Sequence, residues 1–436
     1  MAIVVAKQEQ PVVGVAVSGT LRYGEDREPR RRRWRLAVAV LGIVLALGAT
    51  SVWYLPALRQ DGARADPSAG GASAAVGAGP RAPAVAPSPS PSNPATLIGS
   101  LPGHPSPSLL LAGQEPAWLS LATGRAEPIR GLPGGSGSYQ FLRVAGGWAA
   151  QPFPVVHPSC DDCAAVALPV YYVADGSLVA HRIGTAGFAA PAATPGALWL
   201  VSYPPGANLT TASGDAREVS VTGAALGQGP AHQLRLPAGY AIDQGTGAGL
   251  LLAQEMADPE SASARYELWD PGTGRVTRSF ANVIAASPTQ IAWLPPCTTR
   301  CRVQVLDLAD GQVKGISLPA PSQAFKGAFS PDGRLLAFLL ATQVTRDGHP
   351  VAGRLVVTAV ANGRITAVPG TTFADGNGVT FGWQPGSHQL IADVALNIPG
   401  QPQWRISAWQ PGAAKPSTAV VRMQYQSWPI LDRGPY

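Results

Sequence analysis

The chain has 436 residues, enough for about two or three ordinary domains or for one large repeat domain. Only 13% of the residues are charged, whereas glycine (50) and proline (43) are abundant. This composition argues against long surface helices and favours short strands joined by turns. Most of the net charge of +6 comes from residues 1–35, and no basic cluster follows residue 60. We therefore do not expect the folded part of the chain to bind nucleic acid.

Residues 1–35 form a basic tail, and an uncharged apolar segment, LAVAVLGIVLALGATSVWYL, follows at 36–55. As a helix, this segment is long enough to span a bilayer core about 30 Å thick. Because the arginines precede it, the tail is predicted to be cytoplasmic and the remainder extracytoplasmic. A cleaved signal peptide is the alternative, but the apolar stretch is long for one and no A-x-A site follows directly. We therefore expect an uncleaved membrane anchor in a bacterial cell membrane.

Residues 56–94 are rich in alanine, glycine, proline and serine and end in APSPSPSNP. This composition has no periodicity and cannot bury a core, so the segment is predicted to be a linker. It would hold the following domain away from the membrane.

From residue 95 to residue 436, short apolar runs alternate with glycine, proline and aspartate, and no helical period is sustained. A turn followed by an apolar strand appears seven times in this region. The clearest copy is AFSPDGRLLAF, at Ala328–Phe338, in which Asp332 is predicted to stabilise the turn. The weaker copies begin at Ser106, Ala145, Thr194, Gly245, Ser287 and Gln384.

A second signal alternates with the first and consists of a strand, a turn containing glycine and another strand. Examples are VLDLADGQVKGISL at 305–318 and VTAVANGRITAVPG at 357–370. Two interleaved turn signals, repeating about every 40–55 residues, predict units of four antiparallel strands, as in β-propeller blades. We predict an all-β propeller of about seven blades, although six or eight would fit the spacing. Either Thr96–Leu101 or Tyr425–Leu431 is expected to close the ring.

The stretch AFSPDGRLLAF resembles the repeat of TolB-type and WD-like propellers, and Leu268-Trp269-Asp270 resembles the WD dipeptide. The close resemblance covers about one unit in seven. It implies the fold and little more, because propellers include binding proteins, scaffolds and several classes of enzyme.

The four cysteines form two pairs, Cys160 with Cys163 and Cys297 with Cys301. Each pair lies in the predicted middle hairpin of its unit. In an oxidising extracytoplasmic environment, a disulfide within each hairpin is the favoured interpretation. A metal site that includes His157 is an alternative, and so is a redox pair. The redox hypothesis is weakened by two aspartates between Cys160 and Cys163, which would raise the thiol pKa.

No motif for nucleophilic catalysis, phosphate binding or metal ligation is present, so we predict no catalytic, cofactor-binding or metal-binding residue. Four tryptophans on the repeat strands are predicted to pack in the core: Trp148, Trp199, Trp293 and Trp383. The favoured function is a binding or scaffolding module for a protein or cell-envelope ligand. A hydrolase- or lyase-type enzyme with its site in the central channel is the alternative, and signalling across the membrane is a third hypothesis.

Overall fold

A computed structural model describes residues 95–98, 101, 108–112, 115–133, 139–144, 146–152, 166–208, 211–229, 233–254, 265–345, 349–374, 379–384, 388–396, 403–423 and 428–430. The regular structure in these ranges is β throughout, apart from one 3-10 turn at Gly223–Ala225. None of these residues belongs to a helix long and apolar enough to cross a membrane. The predicted tail (1–35), membrane helix (36–55) and linker (56–94) lie outside the described residues.

The described residues form 29 strands, most of them short, as the frequent turns predicted. In chain order they are β1 (Ala95–Ile98), β2 (Ser108–Ala112), β3 (Ala117–Ser120), β4 (Ala126–Pro128), β5 (Tyr139–Val144), β6 (Gly147–Pro152), β7 (Leu168–Ala174), β8 (Ala180–Ala186), β9 (Phe188–Pro191), β10 (Ala197–Ser202), β11 (Asp215–Ser220), β12 (Leu234–Arg235), β13 (Tyr240–Thr246), β14 (Gly249–Gln254), β15 (Arg265–Asp270), β16 (Arg275–Ala281), β17 (Val283–Ala286), β18 (Gln290–Trp293), β19 (Arg302–Asp307), β20 (Val313–Ser317), β21 (Gln323–Phe329), β22 (Leu335–Val344), β23 (Pro350–Ala359), β24 (Ile365–Phe373), β25 (Val379–Trp383), β26 (Leu390–Leu396), β27 (Gln403–Trp409), β28 (Ser417–Met423) and β29 (Trp428–Ile430).

The strands pair into seven antiparallel sheets, which are the blades of a propeller. Blades 2 to 6 each take four consecutive strands: β5–β8, β9–β12, β13–β16, β17–β20 and β21–β24. Blade 7 contains β25–β28, and blade 1 contains β2–β4. The prediction of an all-β, seven-bladed propeller is therefore confirmed.

Both segments proposed for ring closure are used, although the sequence analysis expected only one. Strand β29 adds to β2 as the innermost strand of blade 1, with Leu110 opposite Ile430. Strand β1 adds to β28 as a fifth, outermost strand of blade 7, with Ala95 opposite Met423. The two expectations were not exclusive because blade 1 lacks its first strand, whereas blade 7 has a free outer edge that a further strand can pair with.

Seven hydrophobic clusters lie between neighbouring blades, one at each of the seven contacts around the ring. Strand β22 shows how one strand serves two of them. Phe338 and its alternate neighbours face the core shared with blade 5, whereas Leu339 and its alternate neighbours face the core shared with blade 7. A strand buried on both faces is apolar at consecutive positions, which explains the run LLAFLL within this blade.

Candidate functional site

The antiparallel pairing gives the propeller two unlike faces. The turn between the first and second strands of a blade and the turn between its third and fourth strands emerge on one face, which we call the turn face. Blade 1 lacks the former turn, because β29 and β2 are not consecutive in the chain. The connection between the second and third strands and the crossover to the next blade emerge on the opposite face, which we call the loop face. Both turn signals of the sequence therefore lie on the turn face, and the connection that carries Cys297 and Cys301 lies on the loop face.

The turn at Ser330–Leu335 shows how the turn face is built. Asp332 Oδ1 accepts hydrogen bonds from Ser330 Oγ at 2.7 Å and from the Arg334 amide at 3.1 Å. The amide of Gly333, at φ +69°, donates to the Ser330 carbonyl at 2.8 Å. The hydrogen bond from Ser330 is the main cause of the lowered pKa of Asp332. All of these bonds are local, so the geometry assigns Asp332 to the turn, as predicted.

A second turn-face contact links the inner strand of blade 2 to its outer hairpin. Arg143 makes two hydrogen bonds to Asp175, at 2.5 and 2.7 Å, and its guanidinium carbon lies 5.1 Å from the centre of a Trp148 ring. Burial, followed by the charge of Asp175, raises the pKa of the adjacent Tyr172. This bidentate pair holds the turn in place, which is a structural role.

On the loop face of blade 5, the predicted disulfide between Cys297 and Cys301 is present, with Cα atoms 5.3 Å apart. It fixes the connection between β18 and β19, and Cys301 packs into the core between blades 5 and 6. Cys160, Cys163 and His157 lie outside the described residues, so their pairing stays a prediction. Among the described residues, no three His, Cys, Asp or Glu side chains are grouped to hold a metal ion.

The four tryptophans singled out in the sequence pack between blades, as predicted. Trp148 and Trp383 are buried, and the Trp383 indole donates a hydrogen bond to the Ala328 carbonyl at 3.0 Å. Trp199 and Trp293 are half-buried against the cores on either side of blade 4. These rings are therefore packing residues first.

The innermost strands of blades 4, 5 and 6 are each interrupted by a β-bulge, at Asp243, Ile284 and Lys326 respectively. A bulge bends its strand and turns a side chain away from the regular alternation. Two of the three bulged residues are ionisable, and both lie on strands next to the central axis. Sequence analysis did not identify them, because a bulge depends on how two strands pair.

Asp243 is the most unusual of these residues. The residue is only 8% exposed, and its Oδ2 atom is buried with no hydrogen-bond partner in the described part of the chain. Burial away from water raises its pKa well above the usual value. A raised pKa favours the neutral, protonated form of this carboxyl, which can donate a hydrogen bond. The only sequence signal is an acidic residue within the otherwise uncharged segment Tyr240–Thr246.

Blade 4 contains a further cluster of polar side chains, which is centred on Glu267 of β15. Arg265 approaches the Glu267 carboxylate at 3.2 Å, and Tyr240 forms a hydrogen bond with the same side chain. Burial, together with this hydrogen bond, raises the pKa of Tyr240. Glu267 is therefore a paired carboxylate, in contrast to Asp243.

No family model and no curated protein matches the chain. Among solved structures, the chain is similar to TolB from Acinetobacter baumannii (9% identity, 76% of this chain, 67% of that chain, TM-score 0.39). It is also similar to a prolyl endopeptidase (12% identity, 75% of this chain, 50% of that chain, TM-score 0.50). A third similar structure is oligogalacturonate lyase from Vibrio parahaemolyticus (10% identity, 77% of this chain, 92% of that chain, TM-score 0.42).

These similarities concern the fold alone, because every identity is low. The chain spans about half the length of the prolyl endopeptidase it matches. The seven blades confirm the propeller fold that the resemblance of AFSPDGRLLAF to TolB-type repeats implied.

Proposed function

We propose that the chain is a single-pass, membrane-anchored extracytoplasmic propeller that binds a protein or cell-envelope ligand on its loop face. Residues 36–55 would cross the membrane, and residues 56–94 would separate the propeller from it. The cysteine-bearing connections favour an oxidising compartment outside the cytoplasm.

The observation that carries the proposal is the contrast between the turn face and the loop face. Both faces belong to one closed ring, in which β1 and β29 each complete a blade. On the turn face, most blades use short turns held by their own hydrogen bonds. On the loop face, the second and third strands are joined by connections of different length and composition, one of them fixed by the Cys297–Cys301 disulfide. Ligand-binding residues concentrate in variable connections that a rigid scaffold holds in place.

Three measurements test this proposal. Alkaline phosphatase fused after Tyr436 should be active, and the protein should stay in the membrane fraction at high pH unless residues 36–55 are deleted. A photo-cross-linking residue at Thr299, exposed on the loop face, should give adducts in intact cells. The same residue at Gln312, exposed on the turn face of the same blade, is the matched control. Equal adducts from both positions, or adducts from Gln312 alone, would contradict binding on the loop face.

A second candidate function is a propeller enzyme with its site beside the innermost strands. The observation that favours it is Asp243, a buried carboxyl whose raised pKa suits a proton donor. The purified chain would be assayed for hydrolysis of peptide and ester substrates and for elimination on uronate polymers. Activity that disappears in Asp243→Asn while the thermal unfolding midpoint is kept or raised would support the enzyme, and activity that persists would exclude this residue.

A further inference from the structure

Four consecutive blades carry an arginine at the same place in their third strand. The four residues are Arg265, Arg302, Arg354 and Arg405, in blades 4, 5, 6 and 7. In each blade, a turn joins the third strand to the fourth. All four arginines precede the first residue of that turn by the same number of residues. Those positions are Asp270, Asp307, Ala359 and Gln410.

The packing of the next residue confirms that the four positions are equivalent. Each arginine is followed by a buried side chain that faces the next blade around the ring. These side chains are Tyr266, Val303, Leu355 and Ile406. A third strand starts at the loop face, and Arg265, Arg302 and Arg405 lie at or near the start of theirs. Arg354 lies midway along β23, because the hairpin of β22 and β23 extends beyond it on the loop face. The corresponding positions in blades 1 to 3 are Glu115, Pro169 and Asp215.

Two of these arginines, Arg302 and Arg354, are available to a ligand. Arg302 and Arg354 are exposed, and no carboxylate of the described residues forms a salt bridge with either one. Arg405 is half-buried and donates to the Gly370 carbonyl at 2.5 Å, which holds its guanidinium between blades 6 and 7. Arg265, by contrast, is paired with Glu267.

The acidic residues of blades 5 to 7 do not neutralise this end in the described part of the chain. Asp307, Asp310 and Asp332 belong to the turn face. Asp393 is 2% exposed and accepts hydrogen bonds from the amide and hydroxyl of Thr380. Among the described residues, Arg300 and Arg422 are exposed at the same end. Basic residues therefore outnumber acidic ones there.

We infer that the loop face of blades 5 to 7 binds a linear, phosphate-bearing polyanion of the cell envelope. The inference deepens the proposed function and depends on it for the face and the compartment. One guanidinium per blade, at a fixed position in successive blades, provides a row of donors along a curved edge. Guanidinium groups form bidentate hydrogen bonds with phosphate, so a polymer with repeating phosphates matches such a row. A patch of this kind needs no deep pocket.

The test measures binding of inorganic polyphosphate to the purified full chain in neutral nanodiscs, over a range of salt concentrations. The loop-face variant is Arg302→Gln with Arg354→Gln. The matched control is Arg334→Gln with Arg364→Gln, which removes the same charge from two exposed positions on the turn face. We expect the loop-face variant to bind about tenfold more weakly and to lower the salt slope by about 1–2, because two phosphate contacts are lost. The control should bind like the original protein.

Arg354→Lys with Arg302→Lys separates charge from bidentate geometry and should recover only part of the affinity. Equal losses in the loop-face variant and the turn-face control would overturn the inference, since net charge alone would then explain binding. Binding to alginate but not to polyphosphate would overturn the assignment of phosphate. Binding to duplex DNA through the same arginines, as tight as to polyphosphate, would overturn the assignment to the cell envelope.

A bilayer is the other anionic surface to consider, because the chain enters the propeller at the loop-face end of β1. Vesicles containing phosphatidylglycerol that bind through Arg302 and Arg354 in place of polyphosphate would show that the partner is the membrane. Polyphosphate binding is measured on purified protein and does not depend on topology in cells. It can therefore fail while the reporter and cross-linking tests succeed, and the reverse also holds.

Discussion

The turn face and the loop face are built from the same strands, yet their backbones are held in different ways. On the turn face, side-chain and backbone hydrogen bonds within a few residues fix each turn, as at Ser330–Leu335. On the loop face, crossovers can be a single residue, such as Gly187 or Asn282, whereas the connections between second and third strands vary. Local bonds can be repeated from blade to blade, while the varied connections leave room for blade-specific recognition.

The largest effect is expected from Phe338→Ala, because this side chain is fully buried in the core beneath both faces. The cavity should lower the free energy of unfolding by about 3–5 kcal/mol. Urea unfolding followed by fluorescence would measure it, with Phe338→Leu as a control that keeps most of the volume. A loss confined to one face in hydrogen exchange would show that the faces do not share this core.

A smaller effect is expected where the turn face packs tightly against backbone. Gly227 has φ +72°, and a Cβ there would lie 2.7 Å from the Ile183 carbonyl oxygen. Gly176 has nearly the same φ, +70°, with nothing within 4 Å of the added carbon. Alanine should therefore cost about 1–2 kcal/mol at Gly176 and about 2–4 kcal/mol at Gly227, measured by chemical unfolding. Equal costs would mean that backbone conformation alone decides these turns.

On the loop face, Cys297→Ala with Cys301→Ala should lower the free energy of unfolding by about 2 kcal/mol or less, because the closed loop is short. Proteolysis and hydrogen exchange should increase in residues 294–301. The turn at 307–312, on the turn face of the same blade, serves as the internal control and should keep its protection. Loss of protection at both ends would show that the disulfide stabilises the whole blade.

The smallest effect on the free energy of unfolding is expected from Asp243→Asn, in an innermost strand. The effect should be least at acid pH. Because burial raises the pKa of Asp243 in the folded state, the folded protein keeps this proton when the unfolded chain has lost it. The stability of the original protein should therefore decline as pH rises from the unfolded pKa to the folded pKa. The variant should lack this decline, so it should be the more stable form at neutral pH and nearly equal below pH ~4. Thermal unfolding from pH 4 to pH 8 would measure the difference, and parallel curves would contradict it.

The class of fold and the approximate number of blades followed from the order of residues alone. Turn residues act locally, so Ser330, Asp332 and Gly333 indicate the same turn in the sequence and in the structure. Strands buried on both faces must be apolar at consecutive positions, which makes the repeat visible. The hairpin that contains Cys297 and Cys301 could be placed for the same reason.

The closure of the ring, the ends of the blades that meet and the places where charges gather depend on contacts between distant parts of the chain. Strands β1 and β29 are more than three hundred residues apart along the chain, and their use depends on two free sheet positions that no local pattern records. The bulge at Asp243 depends on the pairing of β13 with β14. The arginines at 302, 354 and 405 are isolated in the sequence, so no basic cluster was expected there. They reach a common end of successive blades because the repeat places equivalent positions side by side in space.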